Sequence, residues 1–297
     1  MMQPIHAFPH RVQAVDLPLP RKQLLWRAVR SSRKHSGPEA ELPLTVLEQA
    51  SAPIRASEVA DYAQVCQLPS TTLVPLTYPH ILAFPLQMQL LIEPDFPYAA
   101  VGLVHIANTI RQHRPLASGQ ALKLQVQATR QLAHPKGQLI VLKTEAALAG
   151  ELAWESESVY LSRSVRHPQG PAFPSEPASS ETLTELESWT LPADLGRRYA
   201  KVAGDYNPIH LYPWTARLFG YPRAIAHGMW SKARALGSLL PKAQLATAEV
   251  SVRFKTPALL PGKASLLATA DHQHFAVHRA GTEVPHLSGH LQGVATV

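Results

Sequence analysis

The chain has 297 residues, of which 45% are hydrophobic and 16% charged, and its net charge is +7. This composition is typical of a soluble globular protein and excludes a disordered or fibrous one, and the length suits two domains or two similar halves. One cysteine, Cys66, excludes an internal disulfide and a cysteine-based metal centre. Because no apolar segment is long enough for a signal peptide or a membrane span, we expect a cytoplasmic protein.

Residues 1–70 are predicted to be an N-terminal extension that contains a basic segment. Residues 21–35 carry six Lys and Arg side chains and no acid, so most of the net charge lies in this one segment. Leu24 and Ala28 lie one helical turn apart, which predicts a surface helix that either packs on its own domain or faces an acidic partner or a phosphate. No nucleic-acid motif accompanies the charge, so no nucleic-acid partner is expected.

Residues 71–165 are predicted to form a first folding unit. The segment 80–92 is mostly apolar and has the length of a helix, despite Pro85. Alternating or strand-like segments follow at 121–127, 138–147 and 151–161. A helix with so few polar positions cannot lie on a surface, so an antiparallel sheet is expected to wrap around it.

A proline-rich stretch at 166–185 predicts a linker to a second unit, 186–297. The second unit repeats the order of the first, because an apolar helix at 226–240 precedes several strands. These predicted strands are 248–255, 263–270, 274–278 and 289–297. The weak repeat predicts an α+β fold with two antiparallel sheets, each wrapped around a central apolar helix.

The most informative stretch is residues 204–210, which read Gly-Asp-Tyr-Asn-Pro-Ile-His. Gly204 permits a tight turn, and Asn207 can cap a helix that begins at Pro208. Asp205 and His210 can then converge on one point and hold a water between them. One group removes a proton from this water while the other orients the water or returns the proton.

Residues 226–229, Ala-His-Gly-Met, open the apolar helix of the second unit. Gly228 lets a substrate carbonyl approach the backbone, and the first N–H groups of a helix have no internal partner. Together they suit an oxyanion hole for a thioester oxygen that gains negative charge. Combined with Asp205 and His210, this site predicts the addition or removal of water beside a thioester.

These residues resemble the MaoC-like, or hydratase-2, branch of the hotdog-fold proteins, which includes (R)-specific enoyl-CoA hydratases and (3R)-hydroxyacyl dehydratases. The resemblance covers roughly residues 190–297, and the family signature is met by Tyr199, residues 204–210 and Ala216. It implies a double hotdog fold, with Asp205 and His210 as the catalytic pair and the Gly228 N–H on the thioester oxygen. No second copy of the motif lies upstream, so the first unit resembles a hotdog that has lost its active site.

The resemblance implies a hydro-lyase of fatty-acid metabolism that interconverts (3R)-3-hydroxyacyl and trans-2-enoyl thioesters. The thioester carrier is CoA or acyl carrier protein, and its phosphopantetheine is part of the substrate; no other cofactor and no metal are expected. The chain is expected to act as a monomeric pseudo-dimer or as a homodimer. A non-catalytic acyl-thioester binding protein and a hotdog thioesterase stay open as alternatives.

Further substrate contacts are predicted for Asn207, His227 and Met229, although His227 can instead have the structural role of fixing the helix entry. Arg253 and Lys255 are candidates for binding the CoA phosphates, with an ordinary solvated strand edge as the alternative. The first unit is expected to shape the acyl pocket through three residues that can equally be core. They are Phe84, Met88 and Leu91.

Overall fold

The computed structural model describes residues 11–31, 34, 40–69, 73–176, 182–240 and 245–295. The helices are α1 (Arg21–Ser31), α2 (Ala56–Val65), α3 (Tyr78–Ile92), α4 (Leu195–Ala203), α5 (Pro213–Arg217) and α6 (Gly228–Leu239), and one 3₁₀ turn spans Pro208–His210. The strands are β1 (Arg11–Ala14), β2 (Thr45–Pro53), β3 (Val104–Gln112), β4 (Ala121–His134), β5 (Gly137–Leu148), β6 (Glu151–Ser162), β7 (Thr184–Leu191), β8 (Leu245–Phe254), β9 (Gly262–Ala268), β10 (His274–Arg279) and β11 (Pro285–Ala295).

All the strands of the described residues belong to one continuous sheet, in the order β1-β2-β4-β5-β6-β3-β8-β11-β10-β9-β7. Every neighbouring pair is antiparallel except β1 and β2, which are parallel. The two units meet where β3 pairs with β8, with Ile110 opposite Val250. Each unit contributes one central apolar helix, α3 or α6, and the predicted α+β double hotdog is confirmed.

The central helix α3 is apolar on almost every side, which is the pattern of a helix buried in a core. Leu86 and Leu90 have no exposed surface, and Pro85 lies inside the helix without ending it. Trp154 of β6 donates its indole N–H to the Leu76 carbonyl at 2.9 Å and so ties the sheet to the start of α3. Within the described ranges, none of the helices is both long and apolar enough to cross a membrane.

The helix α6 contains a lysine with no exposed surface, Lys232. Its ammonium donates to the Asn108 carbonyl at 3.1 Å, to the Asn108 side-chain oxygen at 2.7 Å and to the Val250 carbonyl at 3.1 Å. Burial lowers the pKa of Lys232 well below its ordinary value, whereas three acceptors favour an ammonium with three N–H donors. Because Asn108 lies on β3 and Val250 on β8, Lys232 fastens α6 to the junction between the two units.

The predicted extension joins the fold instead of standing apart from it. β2 pairs with β4 of the first unit, so the sheet begins well before residue 71. The helix α1 packs against α3 of the same chain, and its residues Leu24 and Ala28 are only 6% and 4% exposed. This arrangement agrees with the first of the two expectations for the basic segment, of which residues 32, 33 and 35 lie outside the described residues.

Several predicted boundaries need correction. The two predicted sheets are joined into one by the pairing of β3 with β8. The predicted linker 166–185 overlaps β7, which already begins at Thr184, and residues 177–181 lie outside the described part of the chain. The predicted helix at 226–240 begins at Gly228, because His227 still has extended backbone as the N-cap. The predicted strand 289–297 begins earlier, at Pro285, and its residues 296 and 297 lie outside the description. The division of the chain into domains stays a prediction.

Candidate active site

The Asp205 loop is shaped by the end of α4. Gly204 ends this helix with φ 77°, a left-handed conformation that favours glycine. The Asn207 N–H then donates to Oδ1 of Asp205 at 3.0 Å, and the Asn207 side chain accepts from the Ile209 N–H at 3.4 Å. The predicted turn and cap are confirmed. The expectation of a regular helix was wrong, since Asn207 caps a single 3₁₀ turn that ends at His210.

A second glycine, which the sequence analysis missed, lets α4 lie against this 3₁₀ turn. A Cβ atom on Gly196 would stand 1.9 Å from the carbonyl oxygen of His210. Any side chain at position 196 must therefore move the turn that carries His210. The available signal was a glycine within the first helical turn ahead of the motif, where other residues favour helix formation more strongly.

The tautomer of His210 follows from its backbone partner. Its Nδ1 lies 2.8 Å from the carbonyl oxygen of Ile225, and a carbonyl can only accept, so Nδ1 carries the proton. Burial lowers the pKa of His210, partly opposed by the charge of Asp205. The ring is thus neutral at neutral pH, and Nε2 has a lone pair free to accept a proton.

Asp205 and His210 are spaced to share one water. Their possible ligand atoms lie within 4.8 Å of each other. Two hydrogen bonds of about 2.8 Å that meet at the tetrahedral angle of a water span about 4.6 Å. A water between them can donate one hydrogen to the carboxylate and the other to Nε2, which leaves its oxygen lone pairs free to attack a carbon.

His227 holds the Asp205 loop in place. Its Nε2 donates to the Asp205 backbone carbonyl at 3.1 Å, and its ring stacks on His210 with 3.6 Å between ring centres. The His227 side chain is only 3% exposed, and burial lowers its pKa well below the ordinary value. Its Nδ1 lacks a hydrogen-bond partner among the described residues. These contacts support the structural role that the sequence left open for His227.

Gly228 is the first residue of α6, so its N–H has no acceptor within the helix. A Cβ atom there would stand 2.6 Å from the ring of Phe254. The packing of Phe254 therefore favours glycine at this position, and a contact of Gly228 with a substrate carbonyl stays a prediction. Met229 follows in the helix and is 6% exposed.

One cavity of about 620 Å³ contains the motif and extends into the first unit. Its walls include every residue for which a catalytic, substrate or acyl-pocket role was predicted. These residues are Asp205, His210, Gly228, Asn207, His227, Met229, Arg253, Lys255, Phe84, Met88 and Leu91. Residues of both units thus surround a single space that begins at the motif.

Arg253 and Lys255 line this cavity but are bound to the segment before β7. Arg253 donates to the Pro174 carbonyl at 2.7 Å, and its guanidinium lies 4.5 Å from the centre of the Phe173 ring. Lys255 forms an ion pair with Glu176. Both contacts hold these side chains against that segment, and phosphate binding by either residue and its alternative, a solvated strand edge, both stay predictions.

The first unit adds a group of stacked rings that the sequence analysis missed. His105 of β3 stacks on Tyr160 of β6 at 4.6 Å and lies 5.1 Å from Phe254 and 6.0 Å from His80, measured between ring centres. Burial lowers the pKa of His80 to about 4, and the charge of nearby Asp205 opposes this shift. Among the described residues, Nδ1 of His80 and Nε2 of His105 have no hydrogen-bond partner.

The same motif also provides a potential metal-binding set. Asp205, His210 and His227 each offer one ligand atom, all within 4.8 Å of one another. One carboxylate oxygen and two imidazole nitrogens suit a divalent cation such as zinc. The His227 nitrogen that lies 3.8 Å from the Asp205 carboxylate is Nε2, which already donates to the Asp205 backbone carbonyl; the expected absence of a metal stays a prediction.

The fold and the site together define a class, namely a double hotdog protein with an Asp–His pair beside the start of one central helix. The model of the MaoC-like domain matches residues 175–279. The 3-hydroxyacyl-thioester dehydratase X of Mycobacterium tuberculosis is 36% identical over 259 residues, which are 86% of this chain and 91% of that protein. The chain therefore belongs to the MaoC-like dehydratase family.

Two further comparisons agree with this membership. The crystal structure of HtdX from Mycobacterium tuberculosis has a TM-score of 0.73 and 33% identity, and the match covers 84% of this chain and 100% of that one. The peroxisomal enoyl-CoA hydratase 2 of Arabidopsis thaliana is 27% identical over 164 residues, about half of each chain.

Proposed function

We propose that the protein is a hydro-lyase that interconverts trans-2-enoyl and (3R)-3-hydroxyacyl thioesters. One observation carries this proposal. The Asp205 carboxylate and a ring nitrogen of His210 lie within 4.8 Å of each other, Nε2 of His210 is left as an acceptor by the Ile225 hydrogen bond, and both residues share a cavity with the first residue of α6.

In the hydration direction, the water donates one hydrogen bond to Asp205 and one to Nε2 of His210; as its oxygen attacks C3 of the enoyl group, one of the two residues takes one proton and the other hydrogen stays on the new C3 hydroxyl. As the C3–O bond forms, the electrons of the double bond move towards the thioester oxygen. The Gly228 N–H donates to this oxygen and stabilises its negative charge. The proton taken from the water then passes to C2, so that water is added across the double bond; dehydration is the reverse.

The comparisons support this reaction class, because the names of the relatives refer to 3-hydroxyacyl-thioester dehydration and to enoyl-CoA hydration. The (R) configuration, the identity of the carrier as CoA or acyl carrier protein, and the absence of a metal or further cofactor are part of the proposal. One chain is proposed to suffice for activity, because its two units supply both sides of the cavity.

A thioesterase and a non-catalytic acyl-thioester binding protein are the alternatives. Either would use a donor for the thioester oxygen. A binding protein has no need for two acceptors that hold one water, so the fixed tautomer of His210 favours a reaction over mere binding. The alternatives also differ in their products.

The test mixes the purified protein with crotonyl-CoA and, separately, with trans-2-decenoyl-CoA, and follows the enoyl-thioester absorbance, the release of free thiol and the configuration of the product. The proposal predicts loss of the enoyl band, an (R)-3-hydroxyacyl thioester and no free thiol. Release of thiol would assign a thioesterase instead. Tight binding of both thioesters without any product would contradict the hydro-lyase assignment for CoA substrates, and the same assay with acyl-carrier-protein thioesters would then decide between carriers and a binding role.

A further inference from the structure

Two residues in the wall of the cavity come from outside the paired hotdog units. Leu24 and Ala28 of α1 line the cavity, one helical turn apart on the same face of the helix. Trp26, on another face of α1, is 61% exposed. The helix thus presents small and branched apolar side chains to the cavity and a large aromatic side chain to solvent.

The position of α1 along the cavity follows from α3. The cavity-lining residues His80, Phe84, Met88 and Leu91 lie on one face of α3, at spacings of three and four. This row begins at His80, which lines the same cavity as Asp205 and whose pKa responds to the Asp205 charge, and it ends at Leu91, about 16 Å along the helix axis. The row is polar at its start and apolar from Phe84 onwards, as expected for a site that takes a reacting thioester at one end and an acyl chain along its length.

The helix α1 lies against the far end of this row. It packs on α3, and the Leu19 N–H just before α1 donates to the side-chain oxygen of Gln89 at 3.3 Å. At the other end of α1, the Ala100 N–H donates to the Ser31 hydroxyl at 3.3 Å. Ala100 and the neighbouring Val101 also line the cavity. Leu24 and Ala28 therefore lie with these residues at the end opposite Asp205.

The helix is also anchored after its last turn. The Lys34 ammonium, three residues beyond the end of α1, donates to the Phe96 carbonyl at 2.9 Å and also to the Glu93 carbonyl. Polar contacts before and after α1 thus fix its apolar face over the cavity. A wall that is held in this way limits the length of the cavity, because a closely packed interior does not move aside for an acyl chain that is too long.

We propose that α1 closes the far end of the acyl site and that Leu24 and Ala28 set the longest acyl chain the protein accepts. This inference rests on the proposed function for the identity of the ligand, an acyl thioester, and it adds the specificity-determining residues. The apolar face of α1 would then select the substrate by its chain length, a role that is independent of the basic residues of this helix.

The test uses two changes that act in opposite directions on the same wall. Ala28→Phe fills the end of the site, and Leu24→Ala enlarges it. Binding of hexanoyl-, decanoyl- and hexadecanoyl-CoA is measured by calorimetry, which needs no turnover, and hydration of the matching trans-2-enoyl thioesters is measured in parallel. Trp26→Ala is the matched control, because it removes a large side chain from the same helix on its exposed face.

We expect Ala28→Phe to weaken binding of the longest chain that the wild type accepts by at least about tenfold, since a few methylene contacts are worth that much, and to leave hexanoyl-CoA within about twofold. Leu24→Ala should shift the preference to longer chains, and Trp26→Ala should leave the profile unchanged. Equal changes for all three chain lengths, or an unchanged profile in both variants, would overturn the inference. Binding without hydration in the wild type would contradict the proposed function alone.

Should Ala28→Phe fail to fold, as judged by circular dichroism and thermal unfolding, Leu24→Ala alone decides. A cavity-enlarging change that damages the protein generally would lower affinity for every chain. A gain for the longest chain relative to the shortest is the result that only an end wall produces.

Discussion

The two hotdog units have the same arrangement of a central helix and antiparallel strands, and they differ in the segment before that helix. In the second unit α4, the 3₁₀ turn and α5 lie between β7 and α6, and they carry Asp205 and His210. In the first unit, α2 and a short connection precede α3. Both central helices are buried, so the sheet and helix do not depend on the motif. The motif lies in the segment between β7 and α6 of the second unit, and the first unit contributes Phe84 and its neighbours to the cavity wall.

The largest expected effect comes from removing the two acceptors of the second unit. Asp205→Asn keeps an oxygen for the Asn207 N–H, and His210→Asn keeps a donor for the Ile225 carbonyl, while each removes one acceptor from the water. Such groups typically contribute a factor of about 10² to 10⁴, so kcat for enoyl-CoA hydration should fall by that amount. Asp61→Asn, an exposed change on α2, is the control. Folded variants that keep activity within about threefold would refute the role of the pair.

A change in the first unit should act on stability and its pH dependence. His80 has a pKa of about 4 in the folded state, against 6.5 ordinarily. Between these values the unfolded chain binds the proton and the folded chain does not, so stability falls as pH decreases from 6.5 to 4, by about 3 kcal/mol for this group. His80→Leu should flatten this part of the curve of unfolding free energy against pH.

The control for the pH series is His167→Leu, since His167 is exposed. The curve of this variant should retain the slope of the wild type. An equal slope for His80→Leu and the wild type would show that His80 is already protonated in the folded protein, contrary to its buried position in the wall.

A smaller loss of activity is expected from Gly196→Ala. The new Cβ must push back the His210 carbonyl and with it the ring that faces the water. A displacement of about 1 Å near a reacting group can cost about 10²-fold in rate, and we expect kcat to fall by up to that factor while the fold persists. Gly237→Ala in α6 is the matched control, because its Cβ would meet a flexible Leu68 side chain at 2.8 Å. Equal activity in the two variants would show that the close approach of Gly196 to the His210 carbonyl does not position the His210 ring.

The smallest effect concerns the junction of the units. Lys232→Met keeps the length of the side chain but removes the ammonium donor from three oxygen acceptors, which should lower the free energy of unfolding by about 2 kcal/mol. Urea unfolding measures the change as a lower midpoint with an unchanged slope. Lys263→Met on the exposed part of β9 should have almost no effect. A stability equal to that of the wild type would mean that water already serves these acceptors.

The sequence predicted the parts of the fold that have a strong local signal. The apolar row of α3, the alternation in β4 and the cap at Asn207 each follow from neighbouring residues. β3 was missed because apolar and polar residues do not alternate strictly along its sequence. The strand lies in the middle of the sheet, between β6 and β8, and its burial does not alternate strictly either. β7 (Thr184–Leu191) was also missed, and the predicted linker covered its first two residues.

For the candidate site, the local motifs and the family resemblance together predicted that Asp205, His210 and Gly228 belong to one site, and the structure has all three in one cavity. The Gly196 contact and the stacked His105 and Tyr160 could not be predicted, because they depend on how distant segments pack. The role of α1 in the cavity wall was likewise invisible, since Leu24 and Ala28 predict only that some face of the helix is buried.

The most direct test of the difference between the two units is the number of acyl thioesters that one chain binds. Folded Asp205→Asn protein, which binds without rapid turnover, is titrated calorimetrically with trans-2-decenoyl-CoA. One binding site per chain is the predicted result, because the two units surround a single cavity that contains the motif. Two equivalent sites per chain would contradict the account, since the first unit would then have kept a binding site of its own.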